Sequence, residues 1–469
     1  MLRNRLPDID ISDDNPFAND KLDRTPCANT FLALIKMYAS TGCVVALNGE
    51  WGTGKTTFVK MLIQRMKNEG GHPLYFNAWE NDCVSDPLIA LLAELKDVFP
   101  QSPRWNEVIA SGGKILTSIV TSVVKSLAKN KLGLDPEIIS AGADEVEKIL
   151  KDDIDEFAKQ KTTFAEFRKT LQEYITDNTT DNTPVVFFVD ELDRCNPRFA
   201  VLVLERIKHL FDIPNIIFVL SVNKKQLGYA IQGYYGSSNI DADNYLRRFI
   251  DIDYSLPRPK NDIFCRYLYE SYNFDEVFNN KERLKYQDAQ YDKDGFQTIT
   301  SALVSASMLD LRTLDKIFAH TRLALMGFAE NSYIIPDVYF MLCYLKIDKP
   351  DLYDKIHFAK LTAQELLNEL EIYFPKELLT QDEYNRSWRQ MAYSIASFVF
   401  MYTLDDNGIE QERIVLSEKD KTTTLKANIL DQKTLGEAIC YNNSRRFRSE
   451  VPLNYLIKRI ELEQVIILN

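Results

Sequence analysis

The sequence predicts an α/β protein: a parallel sheet with helices on both faces, followed by a helical C-terminal half. Three observations carry this. Short apolar runs recur between turn signals, segments of helical periodicity separate them, and 469 residues with 45% apolar and 26% charged content exceed one compact core of about 100–200 residues.

The elements follow in order. CVVAL, Cys43 to Leu47, lies between Gly42 and Gly49 and reads as a strand buried on both faces. LYFNAW at 74–79 is the second strand, entered through Gly70-Gly71-His72-Pro73, with Trp79 at its end. VVFFVD at 185–190, after the polar TDNTTDNTP, is the third, and IIFVLSVN at 216–223, after Pro214, is the fourth. In FIDIDYSLP, 249–257, apolar and acidic residues alternate, which marks a fifth strand at a sheet edge. Phe58–Met66, Leu88–Phe99 and Phe199–Phe211 carry apolar residues at three- and four-residue spacing and read as helices. Pro100 to Asn182 has no strand signal and is too long for an ordinary connection, so a helical insertion is expected there. Beyond Pro257 and Pro259, the segments Phe264–Tyr272, Leu303–Met326 and Leu361–Tyr373 read as helical, with a polar stretch at 279–295. The resulting division is a core at 1–255 with its insertion at about 100–182, a helical lid at 256–330 and a helical C-terminal region at 331–469.

Charge and cysteine usage narrow the function classes. A net charge of −12 excludes a broadly basic nucleic-acid-coating surface. A local nucleic-acid contact stays open, although no motif indicates one, and RRFR at 445–448 reads first as a solvated face or partner contact. Seven scattered cysteines with no CxxC pair suit reduced core thiols in the cytoplasm, and four dispersed histidines offer no zinc spacing. The N-terminus turns acidic where an export signal needs an apolar stretch. The longest uncharged run, between Arg389 and Asp405, falls short of the about 18–20 residues that cross a bilayer and reads as a buried helix. No transmembrane segment is expected. Ile115 to Val124 is shorter still, and its apolar residues recur in pairs every four. That pattern suits a helix packed on its own protein or a partner, with interfacial membrane contact as the other reading.

The chemistry concentrates in GEWGTGKT, Gly49 to Thr56, which satisfies G-x-x-x-x-G-K-[ST] between a predicted strand and a predicted helix. Gly49, Gly52 and Gly54 let the backbone of Gly49, Glu50, Trp51, Gly52, Thr53, Gly54, Lys55, Thr56 and Thr57 curl around phosphates at a helix N-terminus. Lys55 is placed to neutralise the β and γ phosphates and Thr56 to coordinate Mg²⁺. In VVFFVDELDR the strand ends in Asp190, a carboxylate for Mg²⁺ or its waters, and Glu191 beside it can polarise an attacking water. A regulatory GTPase needs D-x-x-G at this place, and the residues are Asp190-Glu191-Leu192-Asp193. SVNKKQ places Gln226 where a guanine reader needs a carboxylate, so ATP is favoured over GTP. A small-molecule kinase would lack the hydrolytic acidic pair. Asn223, or Ser221 before it, sits at the carboxyl end of the fourth strand, where ligands collect in open α/β sheets, and one of them is a candidate to hold the water. Arg247 and Arg248 precede the fifth strand and are candidates to reach a neighbouring subunit's γ-phosphate. Arg312, opening a helix in the lid, is a candidate reporter of γ-phosphate occupancy, and Asp23-Arg24 are candidates to flank the adenine.

GEWGTGKTTF, YFNAWE, VVFFVDELDRC, FVLSVNKKQLGYAI and YLRRFIDIDYSLP together resemble the KAP family of P-loop NTPases, relatives of AAA+ and STAND ATPases, over residues 43 to 257. The resemblance implies a P-loop NTPase sheet of order 5-1-4-3-2, ATP and Mg²⁺ as cofactors, and a helical lid. It gives Lys55, Thr56, Asp190 and Glu191 the Walker roles, Asn223 a sensor role, Arg247 or Arg248 an arginine-finger role and Arg312 a second-sensor role. Many KAP proteins carry membrane-spanning helices in the interval that here holds the 100–182 insertion. The implied function is an ATP-hydrolysing switch in a homo-oligomer or multi-protein complex. For soluble bacterial members that function extends by similarity to anti-phage defence. The competing reading is a scaffold that binds ATP, hydrolyses it negligibly and recruits a separate effector.

Overall fold

The computed structural model describes residues 9–116, 143–179, 183–258, 260–307, 309–373, 386–444 and 451–462. They divide into two compact units, one ending at Arg258 and the other beginning beyond it.

In the first unit, β1 (Cys43–Asn48), β2 (His72–Asn77), β3 (Val185–Asp190), β4 (Ile216–Val222) and β5 (Ile252–Ser255) form a five-stranded sheet in the expected order 5-1-4-3-2. Every pairing is parallel. The central strands are apolar up to their carboxyl ends because both faces are covered. Val45, Leu47, Val186, Phe188, Ile217 and Val219 pack with Phe31 and Leu32 of α1 (Thr25–Met37) and with Phe58 and Leu62 of α2 (Lys55–Asn68). Val185, Phe187, Val189, Phe218 and Leu220 face the opposite way. They pack with α3 (Pro87–Val98), α4 (105–116), the C-terminal half of α5 (Ala143–Asn178) and α6 (Pro197–Leu210). Phe187 and Phe218, on adjacent strands, stack with centroids 4.7 Å apart. Side chains of this size each contribute about 1.5–3 kcal/mol on full burial.

Local signals set the helix starts. Asp86 caps α3 by accepting Leu88 N–H at 2.9 Å. The same carboxylate receives Arg206 of α6 at two points, Nε at 3.0 Å and Nη2 at 2.6 Å, which ties the two helices. Asn196 caps α6 ahead of Pro197. α4 and α5 lie between residues 100 and 182. Ile115 is fully buried there, and the rest of the Ile115–Val124 pattern, from 117, lies outside the described residues.

Two strand boundaries move. β2 begins at His72 and ends at Asn77, so Trp79 lies in the turn beyond it. Pro73 is tolerated because β2 is an edge strand pairing with β3 alone. β5 is confined to Ile252–Ser255, because residues 247–250 close turn hydrogen bonds onto α8 (Ala242–Leu246), which follows α7 (Lys224–Tyr235). Phe249 is thereby buried against Tyr245.

Among its described residues the second unit is helical apart from one small hairpin and an isolated bridge between Leu404 and Glu410. It comprises α9 (Asn261–Ser271), α10 (Asp275–Phe278), α11 (Asp292–Ala306), α12 (Leu311–Ala324), α13 (Pro336–Asp348), α14 (Pro350–His357), α15 (Ala363–Tyr373), α16 (Arg386–Tyr402), α17 (Gln432–Ser444) and α18 (Leu453–Ile460), with β6 (Val415–Ser417) and β7 (Thr422–Thr423) antiparallel. Tyr269, Phe274, Phe278, Phe296, Phe318 and Phe340 make a contiguous aromatic core. The segment Leu303–Met326, read as helical, spans the end of α11 and the whole of α12. Asp310 accepts the N–H groups of Arg312 and Thr313 and starts α12 anew, four residues after α11 ends. The uncharged run after Arg389 is the buried face of α16, as expected. Among the described residues no helix is long and apolar enough to cross a membrane. None of the seven cysteines is in a disulfide among the described residues. Cys195 is buried and its thiol is pushed up to about 12 by that burial, whereas Cys83 is exposed and departs from the core reading.

Candidate functional site

Between β1 and α2 the chain makes the glycine loop. Gly52 (φ +76°) and Gly54 (φ +82°) take left-handed conformations that side-chain-bearing residues resist. Gly54 stands at the N-cap of α2 with no side-chain cap, so the first N–H groups of the helix keep their donor capacity at the positive end of its dipole. A Cβ on Gly49 would meet Thr53 Oγ1 at 3.1 Å and Lys55 Cδ at 3.4 Å. Thr53 is buried and its hydroxyl donates to the Glu50 carbonyl at 2.8 Å, closing the loop internally. The Lys55 ammonium donates to the carbonyls of Gly49 at 2.6 Å and Glu50 at 3.0 Å, so a cation is held at the loop mouth. Thr56 and Thr57 follow in the first turn of α2.

The loop is strapped from outside. Glu50 pairs with Arg258, and Arg24, 3% exposed, donates to the Thr53 carbonyl at 3.0 Å and to the Pro257 carbonyl. Arg24, a candidate to flank the base, has its side chain engaged by the loop backbone in this structure.

At the tip of β3, Asp190 is buried and stands in register with Asn77 of β2 and Ser221 of β4. Its Oδ1 accepts Glu191 N–H at 3.0 Å and its Oδ2 accepts the Tyr75 hydroxyl at 3.2 Å. Burial first, and the Asp190 charge second, push the Tyr75 phenol well above its ordinary value, so it stays a donor. Ser221 is fully buried, and its hydroxyl has no hydrogen-bond partner among the described residues. Glu191 adopts φ +60°, unusual for this residue type, with its Oε1 3.0 Å from Arg194 Nη1.

One carboxylate oxygen joins the loop to both strand tips. Asp193 Oδ2 accepts the Trp51 indole N–H at 2.6 Å and the Asn223 backbone N–H at 3.0 Å. The Asn223 side-chain oxygen caps α7, accepting Lys225 N–H at 3.1 Å and Gln226 N–H at 3.3 Å. Arg247 and Arg248 are exposed in the turn after α8 and make no salt bridge among the described residues. Arg312 is exposed in the first turn of α12, in the other unit.

This donor set suits a polyphosphate with a divalent cation. The uncapped start of α2 and Lys55 would hold phosphate oxygens. The Thr56 hydroxyl and the Asp190 carboxylate would hold Mg²⁺ or its waters, with the orphaned Ser221 hydroxyl nearby in register.

The sequence profile of the KAP family P-loop domain matches residues 24–402. The chain belongs to the KAP family of P-loop NTPases. The phage T7 exclusion protein of Escherichia coli (strain K12) is 23% identical to the KAP chain over 237 residues, which are 46% of this chain and 30% of that protein. The match therefore spans less than a third of that relative. Among solved structures, the Aeropyrum pernix ORC2 protein in its ADPNP–ADP complexes is 14% identical, with 76% of the KAP chain and 74% of that chain covered and a TM-score of 0.33. Its ADP form is 11% identical over 99% and 96% of the two chains, with a TM-score of 0.30.

Four residues of the KAP site escaped sequence reasoning: Tyr75, Asp193, Arg194 and Arg24 in its supporting position. Asp193 had a signal, since a third acid follows so soon after the Asp190-Glu191 pair. Tyr75 shares a strand face with Asn77 two residues on, which its position in β2 foretold once the strand was placed.

Proposed function

We propose that this KAP protein is an ATP-hydrolysing molecular switch that works in a homo-oligomer or a larger complex. The Trp51–Asp193–Asn223 junction carries the reading, because it brings the glycine loop and the tips of β3 and β4 to one place. When bound, MgATP supplies the γ-phosphoryl group and the metal charge that offsets its negative oxygens. Lys55 and the start of α2 bind the phosphates, Thr56 and Asp190 hold the metal shell, and Glu191 orients and deprotonates the attacking water. Ser221 or the Asn223 amide steadies that water. ATP over GTP follows from Gln226 and the missing D-x-x-G glycine.

The exposure of Arg247 and Arg248, without salt bridges among the described residues, supports a reach toward a neighbouring subunit. Arg312, in the helical unit, stays a proposed second-sensor residue by its resemblance to AAA+ lids alone. A role in anti-phage defence draws its support from the distant relative named a phage T7 exclusion protein. The test is phosphate release over a range of protein concentrations for wild type, Lys55→Ala and Arg248→Ala, with mass measured with and without ATP. Specific activity that rises with concentration and collapses in both variants is expected. Activity independent of concentration, or unchanged in Arg248→Ala, counts against a shared site.

A further inference from the structure

We infer that Arg194 is a positioning residue for Glu191, held in place by the indoles of Trp51 and Trp79. The inference rests on the hydrolytic reading above and names what orients its base.

Glu191 leaves β3 in a left-handed conformation, and among the described residues one of its carboxylate oxygens is engaged, Oε1 by Arg194 Nη1 at 3.0 Å. A carboxylate gripped at Oε1 has its Oε2 presented in a fixed direction. That is what a base aimed at one water needs. The grip is firm because Arg194 is itself confined. Its guanidinium carbon lies 6.0 Å from the Trp51 ring centroid and 5.8 Å from that of Trp79, and its backbone N–H donates to the Glu191 carbonyl at 3.1 Å. Both side chains of the pair are mostly shielded, at 25% and 17% exposed. Trp51 is anchored in turn through its N–H to Asp193. Because Trp51 belongs to the glycine loop and Trp79 to the turn after β2, the direction of Glu191 is set jointly by the loop that takes the phosphates and by the neighbouring strand. A delocalised cation suits this place better than a lysine, since a guanidinium can sit beside two rings and still pair with a carboxylate.

The test compares steady-state turnover and ATP affinity for wild type, Arg194→Ala, Arg194→Lys, Glu191→Gln and the double variant Glu191→Gln/Arg194→Ala. Arg194→Ala is expected to lower kcat by about 10–100-fold, the scale of a base displaced by an ångström. ATP affinity and KM should stay within about twofold. Arg194→Lys should recover part of the loss. In the Glu191→Gln background, Arg194→Ala should add nothing further, because it acts through the group already removed. If Arg194→Ala does not fold, Arg194→Gln is read against the same expectation.

Unchanged kcat, increased kcat, loss of ATP affinity in step with kcat, or full additivity in the double variant each overturns the inference while leaving the hydrolytic reading in place. Wild-type protein that binds ATP and releases no phosphate overturns the hydrolytic reading, and the inference with it.

Discussion

Replacing Asp193 by alanine removes the oxygen that receives two donors from different parts of the chain, the Trp51 indole and the Asn223 backbone. Hydrogen bonds to a charged acceptor contribute about 1.5–3 kcal/mol each. Trp51 is 41% exposed, so its N–H regains water after the change and the loss there lies at the low end. The Asn223 N–H lies in a half-buried position at the start of α7, and its loss lies nearer the middle. Together the expected destabilisation is about 2–4 kcal/mol. Asp193→Asn keeps an acceptor oxygen without its charge and should lose about half as much. If a little over 1 kcal/mol of the restraint falls on the glycine loop, ATP affinity drops by about tenfold. Urea unfolding followed by circular dichroism reads the first quantity, and equilibrium ATP titration reads the second. Transition midpoints are the safer comparison, because two compact units need not unfold together. An Asp193→Ala protein with an unchanged midpoint and ATP affinity within about twofold of wild type would show that Asp193 does not brace the loop.

Two further outcomes follow from other parts of the molecule. Arg206→Ala leaves the Asp86 carboxylate without its two-point partner in a site where both side chains are 11% exposed, and should destabilise the first unit by about 3–5 kcal/mol in chemical unfolding. Arg206→Met, which keeps the packing, should also destabilise, because the stranded charge remains. His320 is held below its ordinary value of 6.5, by burial first and by Lys346 second. It is therefore neutral in the fold, and the unfolded chain takes up the proton more readily. Its contribution to stability is complete above about pH 6.5 and fades as the pH falls through the depressed folded value. Thermal midpoints between pH 7.5 and pH 5 should show that slope, and His320→Gln should flatten it.

The sheet was legible because its central strands are apolar on both faces, as Val185–Val189 and Ile216–Leu220 show, and only a doubly covered parallel sheet asks for that. The glycine loop was legible because its residues are contiguous and their spacing is itself the geometry. Boundaries slipped where tertiary context overrode a local signal. Pro73 looks like a loop residue until β2 is known to be an edge, and Phe249 looks like strand until it packs against Tyr245. The break between α11 and α12 was available in Asp310, whose capping role outweighs the apolar periodicity on either side. The support around the site could not be read in advance. Trp51 and Asp193 lie 142 positions apart, and Tyr75 and Asp190 lie 115 apart, so their hydrogen bonds exist only once the strands are in order. Asn223 shows the converse. Its position at the tip of β4 was foreseen, and its side-chain oxygen turned out to cap the next helix.

The proposed function requires a nucleoside triphosphate with magnesium to be held between the Lys55 loop and the Asp190 strand tip. Equilibrium dialysis of labelled ATP, with and without Mg²⁺ and with GTP as competitor, tests it most directly in wild type and Lys55→Ala. The expected result is one ATP retained per chain, strengthened by Mg²⁺, poorly displaced by GTP and abolished in Lys55→Ala. Wild-type protein that retains no ATP, or a Lys55→Ala variant that retains it equally well, rules this site out.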